Sequence, residues 1–554
     1  MKIRESFFLP IALVLVTMVC VGSARPRAGN DSLERAGRKR PNILFIFTDD
    51  HAPHAIGAYG GRFAGLNPTP NIDRLASEGM LFRNSFCTNS ICGPSRAVIL
   101  TGKHSHKNGF MKNGNRFDGS QLTFPKLLQK GGYRTALIGK WHLSSDPEGF
   151  DYWDVLPGQG DYYNPTLIRA DGKRQVQGYC TDIVTDLAID WMEERKGADE
   201  PFMLMCQQKA PHRNWMPALR HLKLYADQEL PEPDTLFDSY ADNASPARFQ
   251  EMEIDRHMNL VYDLFLEPFE GWDPKAGKAR DTSGFHNLKR MTTSQRSAWD
   301  AGFAEENARF HASQLEGEAL VRWKYQRYMK NYLRTIRGVD ESVGRLNAYL
   351  EQSGLADNTI VIYSSDQGFY LGDHGWYDKR WMYEESLRMP LIVKWPGVTQ
   401  PGAVNEELVQ NLDYAETFLE LAGVAIPEEM QGRSLVPLLR GEQVEDWRDG
   451  IYYHYYGFPS VHMVARHYGI RTERYKLIRF YQFDEWELYD LENDPDERTN
   501  LYGNPEHVST VARLAEELGR LREGYDDDSD VAVMPEEWRA PYRAPREAAL
   551  RSGE

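Results

Sequence analysis

Cysteine is scarce in this chain of 554 residues: there are five, at 20, 87, 92, 180 and 206. That is too few for a disulfide scaffold in a protein this large. Long apolar runs are scarce too. The longest, from about Phe7 to Val21, falls short of the roughly 20 apolar residues that span a bilayer. Basic charge is the third shortage, because 65 Lys and Arg stand against 81 Asp and Glu, for a formal net charge of −16. Gripping nucleic acid through an overall field takes clustered cations, so that class is set aside. Internal repeats and low-complexity tracts are missing. What remains is a globular composition, 41% hydrophobic, in a chain long enough to bury about three quarters of the surface its unfolded form exposes.

The apolar run follows Lys2 and Arg4 and ends in Val21-Gly-Ser-Ala24, small residues of the kind a signal peptidase cuts after. Residues 1–24 are therefore expected to be a cleaved signal peptide, giving an exported protein, periplasmic or secreted, without stable membrane insertion. Cys20 makes a poor lipoprotein site, since Thr17, Met18 and Val19 precede it. Cleavage leaves Cys87, Cys92, Cys180 and Cys206, enough for two bridges at most.

Residues 25–40 read as a basic linker. Asn42 to Thr48 then forms a nearly continuous apolar run of strand length, the pattern of a central strand covered on both faces. Thr135 to Ile138, Phe202 to Cys206, Thr359 to Tyr363 and Leu391 to Lys394 repeat it. Helical patterns lie between them, at Ile72 to Glu78, Thr181 to Arg195, Val321 to Gln352 and Tyr414 to Ala422. Such alternation predicts an α/β fold with a mostly parallel central sheet flanked by helices. Residues 41–449 are assigned to this domain, with an irregular insertion over about 214–318. From 450 to 554 the pattern changes to short aromatic strands at 452–456, 468–472, 475–480 and 486–491, then a helix from about 505 to 522 and a tail. This predicts a smaller subdomain with an antiparallel sheet.

Each predicted central strand runs into a polar cluster: Asp49-Asp50-His51, Lys140-Trp-His142, Lys209-Ala-Pro-His212 and Asp366-Gln367. Ligand crevices in open parallel sheets lie outside the carboxyl ends of the strands, so the four clusters should converge. Asp49, Asp50, Asp366 and the amide oxygen of Gln367 are hard oxygen ligands. They point to Ca2+ or Mg2+, and not to a thiolate or imidazole metal. Cys92 precedes Pro94, a residue suited to a first helical turn, which sets it at a helix N-terminus where an anion is favoured. A plain thiol there could be a nucleophile of lowered pKa.

The segment Cys92-Gly-Pro94-Ser95-Arg96 followed by Leu100-Thr101-Gly102 resembles the signature of the sulfatase family, and Gly132-Tyr-Arg-Thr135 through Gly139-Lys-Trp-His142 resembles its second signature. The resemblance runs from Pro41 to about Leu501. It implies an alkaline-phosphatase-like fold and a sulfuric ester hydrolase in which Cys92 is converted to formylglycine (3-oxoalanine) by a formylglycine-generating enzyme. It implies that residue 92 shares one divalent ion with Asp49, Asp50, Asp366 and Gln367, although many members carry Asn or His where this chain has Gln367. Arg96 and Lys140 would neutralise charge beside residue 92. His142 would be the base, and His212 and Lys379 would contact sulfate and protonate the leaving oxygen.

The stretches 208–215, 365–375 and 379–385 look most like bacterial N-acetylglucosamine-6-sulfatases and mucin-desulfating sulfatases. They imply a sulfated carbohydrate as substrate: a glycosaminoglycan, mucin or algal polysaccharide fragment, with N-acetylglucosamine-6-sulfate favoured. Lys209, Trp215, His374 and Arg380 are the expected substrate-binding residues, with Trp376 and the His454/His467 region as further candidates. The competing readings are a phosphoester or phosphonate hydrolase of the same superfamily, and a non-catalytic carbohydrate binder with unmodified Cys92.

Overall fold

The computed structural model describes residues 39–266 and 284–543. The expected signal at 1–24, all but the end of the linker and the last part of the tail lie outside the described residues. Among those described, no helix is long and apolar enough to cross a membrane.

Ten strands make one sheet: β1 (Asn42–Thr48), β2 (Met80–Phe82), β3 (Arg134–Lys140), β4 (Tyr152–Leu156), β5 (Thr166–Arg169), β6 (Gly172–Gln175), β7 (Phe202–Gln207), β8 (Thr359–Ser365), β9 (Leu391–Lys394) and β10 (Ala403–Asn405). Their order is β10-β2-β9-β8-β1-β7-β3-β4-β5-β6. The strands from β8 to β4 are mutually parallel. Antiparallel pairing begins on either flank, where β9 runs against β8 and β5 against β4.

Every residue of β1 is buried, and alternation divides its apolar run between two cores. Ile43, Phe45 and Phe47 join one cluster, Leu44 and Ile46 the other. On the first face lie α2 (Cys92–Thr101) and α6 (Tyr414–Leu421), packed through Ala97, Ile99 and Phe418. The second face is covered by α1 (Pro70–Glu78), α3 (Cys180–Glu193) and α5 (Gly317–Ser353), through Leu75, Val184 and Val343.

The insertion is less irregular than its sequence predicts, because Thr293–Ser313 forms a helix, α4, closed at its start by a Thr292/Gln295 capping box. Its buried residues, Trp299 and Phe303, stand four apart, too narrow a stripe for the pattern to announce a helix. Beyond residue 449, β11 (Gly450–Tyr455), β12 (His467–Thr472), β13 (Tyr475–Phe480) and β14 (Glu485–Asp490) form the antiparallel sheet in sequence order, and α7 (Val508–Gly524) packs on it through Leu514 and Leu518. The other face of this sheet joins the main core through Ile451, Tyr453, Ile478 and Phe480. Tyr453 then reaches the crevice itself, accepting from Ser90 N at 3.2 Å and donating to Arg380 O at 2.7 Å.

Candidate active site

The carboxyl ends of β1 and β8 bring Asp49 and Asp50 against Asp366 and Gln367, all fully buried. Asp50 N donates to Asp366 Oδ1 at 3.1 Å, and Asp50 holds a left-handed φ of 69°, a conformation disfavoured for any residue with a Cβ. Asp50 Oδ1 accepts from Gln367 Nε2 and from Lys379 Nζ, each at 2.5 Å. Asp49 pairs with the Lys140 ammonium. Burial pushes the Asp50 carboxyl up to about 7, against the pull of Lys379.

Asp49 Oδ1, Asp50 Oδ2 and Gln367 Oε1 are buried acceptors with no hydrogen-bond donor among the described residues. Buried oxygens left unpaired are costly unless something positive meets them, so this set fits a hard divalent cation. Asp49, Asp50 and His212 offer atoms within 4.8 Å of one another. The imidazole suits such an ion poorly, and its Nδ1 already lies 2.6 Å from Arg213 O. Gln367 Oε1 adds a further oxygen beside Asp49 and Asp50, while both Asp366 oxygens already accept from Asp50 N and Arg96.

The helix α2 begins at Cys92, and all ten of its residues are buried. Burial raises the Cys92 thiol pKa, with Lys379 opposing. That is the reverse of what an ordinary thiolate nucleophile needs. Arg96, one turn on, donates to Asp366 Oδ2 at 2.9 and 3.2 Å, to Gln207 Oε1 at 2.6 Å and to Lys140 O at 3.0 Å. It ties α2 to the ends of three strands.

Lys140 ends β3 and donates to Gln159 Oε1 at 2.5 Å; burial lowers its pKa well below the usual lysine value. His142, at φ 58°, has an Nδ1 without a hydrogen-bond partner among the described residues. Burial, then the Lys140 and Arg96 charges, holds it well below the usual histidine range. His212 is held low by burial too, with Nε2 3.8 Å from Asp50 Oδ2. Lys379 goes the other way: burial opposes its charge, but Asp50 and Asp378 outweigh it. Lys209 lies over the Tyr162 ring at 4.6 Å, and burial brings it down to about 8.

Two of the expected sugar contacts lie among interior aromatic rings. Trp215 is 0% exposed and packs between Tyr328, Phe369 and Tyr377, so it presents no open face. His374 is buried in an aromatic stack with Trp376 and Tyr383. Burial opposes its charge, but the Asp238 bond at 2.9 Å and Glu385 raise it to about 9. Trp376, His454 and His467 are interior as well. Arg380 does border the crevice, next to Lys379, at φ 94° and paired with Asp378. His462 lies 3.1 Å from Asp378 and 3.3 Å from Arg213. Arg213 lies in the stretch 208–215 and Asp378 directly before Lys379, yet neither is among the expected site residues, and His462, Gln207, Gln159 and Asn113 carry no local motif. Cys87, Cys180 and Cys206 are buried and free.

Buried oxygens that fit a hard cation, a helix N-terminus carrying residue 92 and converging Arg and Lys side chains suit the hydrolysis of tetrahedral oxyanion esters. Residues 41–424 match the sulfatase family model, and 372–524 match that of the N-sulphoglucosamine sulphohydrolase C-terminal region. An N-acetylglucosamine-6-O-sulfatase of Bacteroides thetaiotaomicron is 48% identical over 88% of both chains. The human N-acetylglucosamine-6-sulfatase is 28% identical over 81% of this chain and 72% of its own. A solved structure of BT4656 in complex with its substrate D-glucosamine-2-N,6-O-disulfate superposes with a TM-score of 0.84 at 47% identity, covering 89% of this chain and 99% of that one. The chain belongs to the sulfatase family, and it is a sulfuric ester hydrolase with the α/β fold that its strand pattern predicted and the alkaline-phosphatase-like architecture that the resemblance implied.

Proposed function

We propose that the protein is an exported sulfatase that removes the 6-O-sulfate of sulfated glucosamine residues, N-acetylated or N-sulfated, in carbohydrate fragments. The observation that carries the reading is the 47% identity across 99% of a chain solved with D-glucosamine-2-N,6-O-disulfate. Asp49, Asp50, Asp366, Gln367 and residue 92 hold one calcium ion, which polarises the sulfate oxygens and the attacking oxygen. Residue 92 would act as formylglycine, installed by a formylglycine-generating enzyme, and would supply that oxygen as its hydrate; burial raises the pKa of the unmodified thiol.

The chain's own groups do the rest. Arg96 and Lys140 hold positive charge against residue 92. Neutral His142 takes a proton from the residue-92 oxygen, and Lys379, which Asp50 and Asp378 keep charged, delivers one to the departing sugar oxygen with His212 beside it. Arg380 and Asp378, a guanidinium beside a carboxylate at the rim, are suited to paired sugar hydroxyls.

A panel of defined sulfated glucosamines, read as released sulfate, tests the substrate. Activity on 6-O-sulfates and none on 3-O-sulfates or on nitrophenyl phosphate is expected; inactivity on every 6-O-sulfate, or faster phosphate hydrolysis, would refute it. Cys92→Ala is expected to lose turnover completely. Asp366→Ala should purify without bound metal and with turnover down by more than about 10³-fold, as loss of the cation's charge stabilisation requires.

A further inference from the structure

Asn113 belongs to neither signature of the family and is half-buried at the edge of the crevice. Its carboxamide makes two bonds to the start of α2. Gly93 N donates to Asn113 Oδ1 at 3.1 Å, and Asn113 Nδ2 donates to Cys92 Sγ at 3.3 Å. The first bond settles the second: because an N–H must meet an acceptor, the oxygen faces Gly93 and the NH2 is left to face residue 92.

The loop is fixed where it stands. Asn89 Nδ2 donates to Met111 O at 3.1 Å, and Asn115 Oδ1 accepts from Lys112 N at 3.0 Å. Residue 93 is cut to fit: a Cβ there would come within 2.8 Å of Asn113 Oδ1 and 2.6 Å of Phe110. Only glycine admits the amide this close.

From this geometry we infer that Asn113 is a further catalytic residue, whose side-chain N–H donates to the residue-92 oxygen that does not attack sulfur. The inference rests on the formylglycine reading above. A thiol gains little from such a donor, since sulfur accepts weakly. An oxygen at the same vertex gains far more, above all when it carries developing charge as its proton leaves toward His142. The donor also leaves the attacking oxygen free on the side of Asp49, Asp50 and Asp366. The same N–H favours addition to the residue-92 carbonyl: an incoming nucleophile bonds to carbon, the C=O π pair moves onto oxygen, and that oxygen then takes a proton.

Two variants separate donation from support. Asn113→Asp keeps an acceptor for Gly93 N–H but has nothing to donate; Asn113→Leu keeps the shape and neither bond. The full-length protein is measured in three ways: peptide mass at residue 92, steady-state kinetics, and the rate at which an aminooxy probe captures the residue-92 carbonyl as an oxime with release of water. With aldehyde present in all three proteins, both variants should lose kcat by roughly 10²- to 10³-fold, the scale of one oxyanion donor. Carbonyl capture should slow about tenfold in both by the same effect. Full kcat in Asn113→Asp would reduce Asn113 to a support for Gly93, and capture at the parent rate or faster with unchanged kcat would overturn the inference outright. An unmodified thiol in the parent protein would overturn the formylglycine reading itself, a distinct result.

Discussion

Residues with similar sequence character end in opposite places. Trp215 sits three positions after His212, in a polar, Pro-rich stretch where an aromatic ring reads naturally as a sugar platform. It instead turns inward at φ 35° and fills the apolar cluster beneath α5 with Tyr328 and Phe369. Deleting a fully buried aromatic side chain removes its transfer free energy and leaves a cavity, at a cost of about 3–5 kcal/mol. Trp215→Ala should therefore lower the unfolding free energy measured in urea by that amount, and KM at a permissive temperature should stay near the parent value. A large rise in KM with unchanged stability would restore the platform reading. The cluster Asp49, Asp50, Lys140 and Asp366 was legible for a simple reason. Each residue stands directly at or after the end of an apolar run, so finding the strand finds the residue. Asn113, Gln159 and His462 come from loops, where no periodicity marks which side chain turns toward the crevice.

At the scale of elements, the site depends on how closely β3 approaches β7. Gly139, paired with Gln207 across that junction, has φ 105°, and a Cβ on it would fall 1.9 Å from Gln207 O. Backbone cannot yield as a flexible side chain does. Gly139→Ala should thus push the strands apart and displace both Lys140 and the Gln207 oxygen that holds Arg96. The expected loss is more than about 3 kcal/mol, combining the left-handed penalty of 1–2 kcal/mol with the clash. Gly354→Ala is the control. Its φ of 76° is also left-handed, but no atom lies within 4 Å of the added Cβ, so about 1 kcal/mol is expected by denaturant unfolding. Equal losses in the two would show that backbone conformation, not the strand contact, sets the cost. The strand Leu391–Lys394 teaches a related lesson about direction. Its apolar run matches those of the parallel strands, yet it runs antiparallel to β8. Two-sided burial makes a run apolar whichever way its neighbour points.

For the whole molecule, a formal charge of −16 surrounds a crevice built to hold anions. The resolution is one of distance. Arg96, Lys140, Lys209 and Lys379 act within a few ångströms in a buried place, while the acidic excess acts over the Debye length, which is about 30 Å at 0.01 M salt and 8 Å at 0.15 M. A single sulfated monosaccharide carries too little charge to feel the outer field strongly, but a densely sulfated chain is repelled before it arrives. Raising salt from 0.01 to 0.15 M should therefore increase kcat/KM on a polysulfated oligosaccharide several-fold, within the range over which steering alters association rates. On a monosaccharide 6-O-sulfate the same change should leave kcat/KM level or slightly lower, because salt there screens only the attraction of the crevice. Opposite signs for the two substrates would separate outer repulsion from local attraction. A parallel response in both would mean that net charge plays no part in which substrates reach residue 92.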